Sequence, residues 1–524
     1  MAGYEKASRL KAGPIIVVTM VVLLTPVLAA INAFVGPAAA LPYLAVAAAI
    51  ALLTLPLSLL VFGGFVLASV VAGLADYFGH VSQGFWIPYL MGAMFAFRGI
   101  GERIRVRPTA LSSASRHNSG SILAFWFAAL YLLILVVGTL VALPPLPQLI
   151  VATKNYLFLW GLLLALLWSD WRPESSTRFW TIVVVVACLQ GPIALYQRFF
   201  VAAKRGDAAA WDAVVGTLGG NPESGGHSAA MALLCCLAIA VLLLRMRDRR
   251  IGAVSGWLLV LVCMVPIAAA EVKASFIWLA VVFVFFFMRQ VVREPVRATV
   301  ILLVGFSLLV GIGWIYKSSF YERSSSRTFS EIYDQQIKYA LDPNEYRADS
   351  KRLGRVASVV DWWRKHDVAE DPVRMLIGHG AGASRSSSSL GAGELARRLV
   401  IQVDVTGAST LLWDLGLLGA LAFVGFLLSS ALAAFRVSRN ASLSAAWRES
   451  TYLSSVLLVM LTLGLFYNRD AIDHPAIQML AFFAVAQVVL ARRSLCQVSA
   501  TQAPRPAVGK LGATPWPAKP SAVN

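Results

Sequence analysis

Residues His227 to Arg250 have the sequence HSAAMALLCCLAIAVLLLRMRDRR, in which a long apolar run is closed by a cluster of arginines. An α-helix needs about 20 apolar residues to cross the hydrocarbon core of a bilayer. Lys and Arg collect in the short loops on the cytoplasmic side of a membrane. This stretch therefore predicts a transmembrane helix whose cytoplasmic end lies near Arg245.

The pattern recurs along the chain. Of its 524 residues, 58% are hydrophobic and 14% are charged, and the mean hydropathy is +0.71, values typical of a lipid-solvated bundle. Candidate spans begin near residues 13, 37, 57, 82, 121, 150, 179, 227, 251, 274, 298, 410, 451 and 474. We predict an all-α, polytopic membrane helix bundle of about 12–14 transmembrane helices. The weakest span, Gly84 to Phe97, is short and is alternatively an interfacial segment.

Three features of the sequence argue against other classes of protein: the N-terminus, the cysteines and the net charge. The apolar run Ala12 to Val35 is longer than a signal-peptide core, so it is predicted to be a retained helix. The five cysteines lie in apolar runs or in the C-terminal tail, which predicts neither a disulfide framework nor a zinc site. The net charge of +18 is explained by basic loops that flank the spans, so no nucleic-acid surface is predicted.

Charge placement also predicts the topology. With a cytoplasmic N-terminus, all of the arginine-rich loops fall on the inside. They are Arg98 to Arg116, Arg245 to Arg250, Arg289 to Arg297, Arg436 to Arg448, and Arg492-Arg493. Four polar groups then meet on the outer face, namely Phe199 to Gly226, Glu271 to Lys273, Lys317 to Ser409, and Asn468 to His474.

The predicted organisation has four parts. Residues 1–316 form an N-terminal membrane domain, and residues 317–409 form one large periplasmic loop, the active-site lid, which contains an amphipathic helix. Residues 410–491 return to the membrane, and residues 492–524 form a disordered cytoplasmic tail. Because the spans leave no room for another folded domain, the loop at 317–409 is where the chemistry is expected.

Within this loop, Leu353, Val356, Val360 and Trp363 repeat at helical spacing and predict an amphipathic helix over residues 351–366. Arg352 and Arg355 fall on the adjoining arc about one turn apart. Guanidiniums at that spacing suit a diphosphate, since Arg offers two donors to phosphate oxygens. The alternative is an interfacial helix whose arginines contact lipid headgroups.

Two further segments are candidates for binding. Gly378, Gly380 and Gly382 are placed to expose backbone N–H groups to an anion, although a flexible turn explains them equally well. Glu271 and Lys273 lie between two apolar runs, where ionisable residues mark functional sites. Alternatively, these two residues form a salt bridge with each other. The serine-rich run Ser384 to Ser389 is predicted to be mobile and not to supply a nucleophile.

The order of these features resembles the O-antigen ligase and O-antigen polymerase superfamily of bacterial inner-membrane glycan transferases. The similarity covers roughly the second half of the chain. Its pieces are Gly216-Thr-Leu-Gly-Gly-Asn-Pro222, Glu271-Val-Lys-Ala-Ser275, Arg355 through Trp362 to Gly378-His-Gly-Ala-Gly382, and Leu412-Trp-Asp-Leu-Gly-Leu-Leu-Gly419. Each piece is common by itself, and their order and topology carry the resemblance.

The resemblance implies glycan transfer at the periplasmic face of the inner membrane, from an undecaprenyl-diphosphate-linked donor to a sugar hydroxyl. The acceptor would be a growing glycan or a lipid A core, with no metal, cofactor or nucleotide sugar. Basic residues would hold the diphosphate, and the candidates are Arg198, Lys273, Arg352 and Arg355. The family usually has Arg at the position of Lys273, so the charge is kept but bidentate geometry is lost.

The general base is less clear, because Val405-Thr406 stand where the family often has a His-Asn pair. His379 and Asp404 are the two replacements. Alternatively, His379 is a solvent-exposed loop residue and Asp404 caps the following helix. Asp414 is predicted to be a structural partner for a basic residue.

Two other classes remain. A transporter or flippase of a lipid-linked or polar solute predicts repeated halves and charges near the bilayer midplane. A scaffold for an envelope assembly explains the loop but not the cations at its base.

Overall fold

The computed structural model describes residues 54–105, 119–205, 210–223, 225–294, 296, 299, 303, 329–348, 350–367, 369–386 and 390–502. These residues are mostly helical, with very little sheet, which confirms the all-α prediction. The predicted spans near residues 13 and 37 lie outside the described residues. Of the span predicted near residue 298, only Thr299 and Leu303 are described.

The N-terminal membrane part contains nine helices among the described residues. They are α1 (Leu57–Gly79), α2 (Trp86–Arg105), α3 (Ser119–Ala142), α4 (Leu146–Tyr156), α5 (Trp160–Trp168), α6 (Pro173–Tyr196), α7 (Ser228–Arg247), α8 (Ala253–Ala269) and α9 (Ala274–Arg293). A π-helical turn, Gln197–Val201, and a 3₁₀ turn, Ala202–Arg205, extend α6.

The insertion and the C-terminal part follow. The insertion contains α10 (Phe329–Leu341), α11 (Arg355–Lys365), α12 (Pro372–Ile377) and α13 (Glu394–Leu399). The C-terminal helices are α14 (Gly407–Ser438), α15 (Ala445–Gly464), α16 (Asp470–Asp473) and α17 (Pro475–Gln502). The described strands form two antiparallel hairpins, β1 (Gly220–Asn221) with β2 (Gly225–Gly226) and β3 (Tyr346–Arg347) with β4 (Arg352–Leu353).

Six described helices are long and apolar enough to cross a membrane, namely α1, α3, α6, α7, α14 and α17. The pair α4 and α5, bent by 42°, makes a seventh span if it is counted as one. The architecture is therefore that of a multi-pass membrane protein. Four more predicted spans, near residues 82, 251, 274 and 451, coincide with α2, α8, α9 and α15, but these helices are not long and apolar enough to be counted. Helix α8 is short, and α9 is apolar only as far as Phe287. Helices α2 and α15 carry charged residues. Helix α17 continues to Gln502, beyond the predicted boundary at residue 491.

The burial of the spans defines the centre of the bundle. The most apolar windows of α7 and α17 are each 89% buried, whereas that of α3 is only 22% buried. Helices α7 and α17 therefore form the core, and α3 presents most of its surface outward. Ring stacking tightens this core, with the Phe179 and Phe483 centroids 3.9 Å apart. A helix that is apolar all round is the type that belongs at the centre of a bundle.

The insertion packs against the start of α14 in a smaller apolar core, which contains Trp362 of the insertion and Trp413 of α14. The amphipathic helix within it, α11, begins at Arg355 instead of residue 351, because Arg352 pairs with Arg347 in the β3–β4 hairpin. Its buried face was also predicted wrongly. Trp362 is buried whereas Trp363 is 62% exposed.

Candidate functional site

The polar groups predicted to meet on one face do meet in the structure. The Glu271 carboxylate lies 3.4 Å from the Arg198 guanidinium. Arg385 of the insertion pairs with Asp473 at 2.6 Å, and the Arg355 guanidinium lies 3.8 Å from the centre of the Tyr467 ring. These contacts join α6, the α8–α9 turn, the insertion and the turn before α17 into one polar site.

The most basic part of this site surrounds Tyr339 on α10. The guanidinium carbons of Arg347, Arg352 and Arg355 lie 4.3, 5.5 and 5.2 Å from the centre of the Tyr339 ring. We call these four residues the Tyr339 cluster. The prediction that Arg352 and Arg355 stand one helical turn apart is wrong, because Arg352 belongs to β4. The hairpin nevertheless places both guanidiniums around the same ring.

Several donors in and beside this cluster lack a hydrogen-bond partner, although Arg347 Nε lies 4.0 Å from the Glu345 carboxylate. Arg205 Nη1, Arg347 Nε, Arg352 Nε and Tyr339 Oη are buried, and no hydrogen bond reaches them from any described residue. A buried polar group without a partner costs about 1–3 kcal/mol. Four such atoms on residues in and beside the Tyr339 cluster, three of them on guanidiniums, are the composition expected of a site that receives an anion.

Two carboxyl groups and a lysine border the Tyr339 cluster. Desolvation raises the pKa of Asp212 above its ordinary value, although Arg205, Arg352 and Arg355 act in the opposite direction. Desolvation likewise lowers the pKa of Lys273, and Arg355 adds to that effect while Glu271 opposes it. The alternative salt bridge between Glu271 and Lys273 is wrong, since Glu271 pairs with Arg198 and no described carboxylate lies within 4.0 Å of the Lys273 ammonium. Lys273 is thus an exposed cation within electrostatic range of Arg355 and Asp212.

A histidine and a carboxylate that no sequence pattern indicated form a dyad on two segments that adjoin this cluster. His227 immediately precedes α7, and its Nδ1 lies 2.7 Å from the Asp470 carboxylate. Because an ionised carboxylate only accepts hydrogen bonds, Nδ1 is the donor and Nε2 carries the free lone pair. Burial lowers the pKa of His227, but the Asp470 carboxylate outweighs burial and leaves the pKa above its ordinary value.

A second histidine packs against this dyad but differs from His227 in its hydrogen-bond partner and in the direction of its pKa shift. The His474 ring lies 4.6 Å from the His227 ring, and its Nε2 donates to the Leu218 carbonyl at 2.8 Å. Burial, together with the charge of His227, lowers the pKa of His474 to about 3. Neutral His474 therefore positions the segment that contains Leu218, whereas the pKa of His227 is raised above its ordinary value.

Two local contacts connect the segments that carry the dyad to the surroundings of the Tyr339 cluster. A side chain on Gly225, two residues before His227, would lie 3.2 Å from Asp212 Cβ, so this turn passes directly against Asp212. Tyr467, which stacks on Arg355, is three residues before Asp470. The segments that carry His227 and Asp470 therefore adjoin the carboxyl groups and the cations, between the insertion and the ends of the spans.

The two predicted general bases are already engaged by other groups. Asp404 is buried and pairs with Arg469, whose Nε also lies 2.8 Å from Asp473. Asp404 does not cap α14 either, because Thr406 and Ser409 form the capping box there. Asp404 is thus one member of a buried ion-pair network with Arg385, Arg469 and Asp473.

His379 is similarly engaged. His366 Nδ1 contacts the Trp362 carbonyl at 2.8 Å and so donates, which leaves His366 Nε2 to accept from His379 Nε2 at 2.9 Å. Burial and the charge of His366 lower the pKa of His379 to about 4. His379 is half-buried against Trp413, so it is not the solvent-exposed loop residue of the alternative interpretation.

The glycine-rich run was interpreted either as a site for an external anion or as a flexible turn, and in the structure its backbone binds an internal carboxylate. The backbone N–H groups of Gly382 and Ser384 donate to the Asp414 carboxylate at 2.8 Å each, and Tyr156 Oη donates at 2.7 Å. Asp414 therefore pairs with neutral donors and not, as predicted, with a basic residue. Gly378 (φ 75°) and Gly416 (φ 66°) permit this contact, because a Cβ on either would lie within about 2.5 Å of the other segment.

This interaction predicts a stability effect. Asp414→Ala leaves three buried donors unpaired, at about 1–3 kcal/mol each, so the free energy of unfolding should fall by about 3 kcal/mol or more. Thermal unfolding of the purified protein in detergent measures this loss. The matched control is Asp367→Ala, which removes an exposed carboxylate of the same insertion. Equal melting temperatures for both variants would contradict the assignment of Asp414 as the anchor of the glycine-rich run.

No protein-family model matches this chain, and no curated protein matches it. Its function is therefore argued from the geometry of the site.

Proposed function

We propose that this protein transfers a glycan from an undecaprenyl-diphosphate-linked donor to a sugar hydroxyl, as an O-antigen ligase-like or polysaccharide polymerase enzyme of the bacterial inner membrane. The observation that supports the proposal is a group of buried guanidinium and phenol donors without hydrogen-bond partners in and beside the Tyr339 cluster, with a histidine–carboxylate dyad on adjoining segments. An anion site beside a general base is what such a transfer requires.

In this mechanism the cations stabilise the leaving group. Arg347, Arg352 and Arg355 bind the diphosphate oxygens around Tyr339, and Lys273 adds a further positive charge from the α8–α9 turn. Negative charge accumulates on the diphosphate as the bond between the anomeric carbon and the phosphate oxygen breaks. Preorganised donors in a site shielded from water stabilise that charge more than bulk water does.

His227 acts as the general base. Its Nε2 takes the proton of the acceptor hydroxyl as that oxygen forms its bond to the anomeric carbon, and the electron pair of the broken bond leaves on the diphosphate. Asp470 holds Nδ1–H, fixes the tautomer and stabilises the imidazolium that forms. A single direct displacement of this kind inverts the anomeric configuration.

The polyprenyl chain has an apolar surface beside the cations. Phe199 and Phe200, next to Arg198 on the extension of α6, are 56% and 62% exposed. A lipid that enters sideways between helices places its tail against these rings and its diphosphate toward Lys273. We propose Arg198 as a positioning residue that fixes this turn through its ion pair with Glu271.

We predict that transfer is independent of metal ions, because the chain's own cations serve the leaving group. Purified protein mixed with lipid-linked oligosaccharide donor and acceptor glycan should give product at an unchanged rate in excess EDTA. Loss of product that added Mg²⁺ or Mn²⁺ restores would contradict this mechanism. Donor that crosses proteoliposome membranes without forming a glycosidic bond would instead indicate the transporter function.

The proposed topology predicts a second result. In a cysteine-free background, Ser387→Cys should react with a membrane-impermeant maleimide added to intact spheroplasts, because the insertion is periplasmic. Arg247→Cys, at the other end of α7, should react only after the membrane is opened. Labelling of Arg247→Cys in intact spheroplasts would show that this end of α7 is periplasmic. The candidate site would then lie on the opposite side of the membrane from the face that lipid-linked donors reach.

A further inference from the structure

A polar cavity lies at the end of the bundle remote from the candidate site. Its volume is about 450 Å³, and it lies between the C-terminal ends of α7 and α14 and the start of α15. Helix α7 has 20 residues and is therefore about 30 Å long. His227 precedes its first residue and Arg247 is its last, so the cavity and the dyad are separated by about one bilayer thickness.

The charges that line this cavity are not balanced. Arg247, Arg250 and Arg448 face it together with two carboxylates, Asp248 and Glu449. Glu449 is also bound from outside the cavity, because Arg245 Nε donates to it at 2.9 Å while Arg250 contacts its other oxygen at 2.5 Å. Its charge is therefore already compensated, and the cavity retains an excess of guanidinium groups.

Two of these guanidiniums remain available to a ligand. No hydrogen bond or ion pair reaches the Arg448 side chain from any described residue. Arg247 lies over the rings of Tyr452 and Phe286, at 5.4 and 5.8 Å, shares a side-chain hydrogen bond with Tyr452, and lies 3.6 Å from the exposed carboxylate of Asp248. Because a guanidinium has five N–H donors, these contacts orient Arg247 and leave further donors for a ligand.

The walls of the cavity identify the class of ligand. Leu244 and Tyr452 provide apolar surface next to the arginines, and two of the three helices that border the cavity are long apolar spans. A ligand that combines a phosphate with an apolar body satisfies both sets of contacts. Basic pockets between transmembrane helices on the cytoplasmic side bind anionic lipid headgroups in this way.

We propose that this cavity is a binding site for the phosphate headgroup of an anionic phospholipid, held by Arg448 and Arg247 at the opposite end of the bundle from the candidate active site. The site is independent of the proposed glycan transfer.

Native mass spectrometry of the purified full chain tests this site, with phosphatidylglycerol or phosphatidylcholine added at the same molar ratio. We expect the protein to retain phosphatidylglycerol in preference to phosphatidylcholine. Arg448→Ala should weaken retention about fivefold, and Arg247→Ala combined with it roughly 25-fold, since each basic residue near an anionic headgroup contributes about 1 kcal/mol. Arg448→Lys keeps the charge and should retain most of the binding.

Two controls locate the effect. Arg439→Ala removes an exposed arginine that lies at the same end of the bundle but does not line the cavity. Arg355→Ala removes an arginine at the candidate active site. Both variants should retain the lipid as the unchanged protein does. Equal retention by the unchanged protein and the Arg247→Ala/Arg448→Ala variant would overturn the proposal. Displacement of the lipid by millimolar inorganic phosphate would assign the cavity to a free phosphate and overturn the lipid assignment.

Discussion

Replacing Arg355 by alanine is expected to reduce glycan transfer by roughly 10²–10³-fold, the cost of removing one preorganised donor from a developing anion. Arg355 is the residue of the Tyr339 cluster that also stacks on Tyr467, so it joins the diphosphate site to the segment that carries Asp470. Arg355→Lys should recover only part of the activity, because an ammonium restores the charge without the two-pronged donor. The measurement is initial rate with a purified lipid-linked donor.

The controls separate charge, geometry and folding. Arg364→Ala removes an exposed arginine from the same helix, α11, and should leave the rate unchanged. Lys273→Ala should reduce the rate strongly. Lys273→Arg should leave the rate nearly unchanged, because it keeps a cation at the α8–α9 turn. Wild-type rates in both Arg355→Ala and Lys273→Ala, at normal protein levels, would show that these cations do not bind the donor and would exclude this face as the active site.

His227→Ala is expected to lower the maximal rate by roughly 10²–10⁴-fold, the usual contribution of a general base. Binding of the lipid-linked donor should persist, since His227 acts on the acceptor. His227 works only when neutral and its pKa lies above 6.5, so the rate should fall as the pH decreases through that pKa. Asp470→Asn removes the charge that raises this pKa. It should therefore shift the acidic limb of the pH profile to lower pH while also reducing the rate.

His379→Ala distinguishes this dyad from the base predicted from the sequence. We expect it to preserve the pH profile and most of the rate, because His379 Nε2 is engaged by His366. If His379→Ala abolishes transfer while His227→Ala does not, the general base is His379 and the dyad has a structural role. If neither variant changes the rate under conditions in which the unchanged protein forms product, no histidine of this site acts as the base.

The sequence by itself determined the class of this protein. Apolar runs such as Ala229 to Leu244 set the helices, because a helix in lipid needs only its own backbone hydrogen bonds and enough apolar length, both of which are local properties. The alternating arginine flanks also determined which loops share an end of the bundle, and the contacts of Arg198, Arg355 and Arg385 agree with that grouping.

The identity of the partners was decided only by the tertiary structure. His227 and Asp470 are 243 positions apart in the sequence, and neither belongs to a motif that signals a base. Asp414 fills the glycine-rich run only because Gly378 and Gly416 allow two backbones to approach each other. Arg352 reaches Tyr339 from a two-residue strand that helical spacing did not indicate. A local pattern specifies which residues form a helix. Which charged side chains come into contact depends on how helices that are distant in the sequence pack together, and that packing is determined by the whole chain.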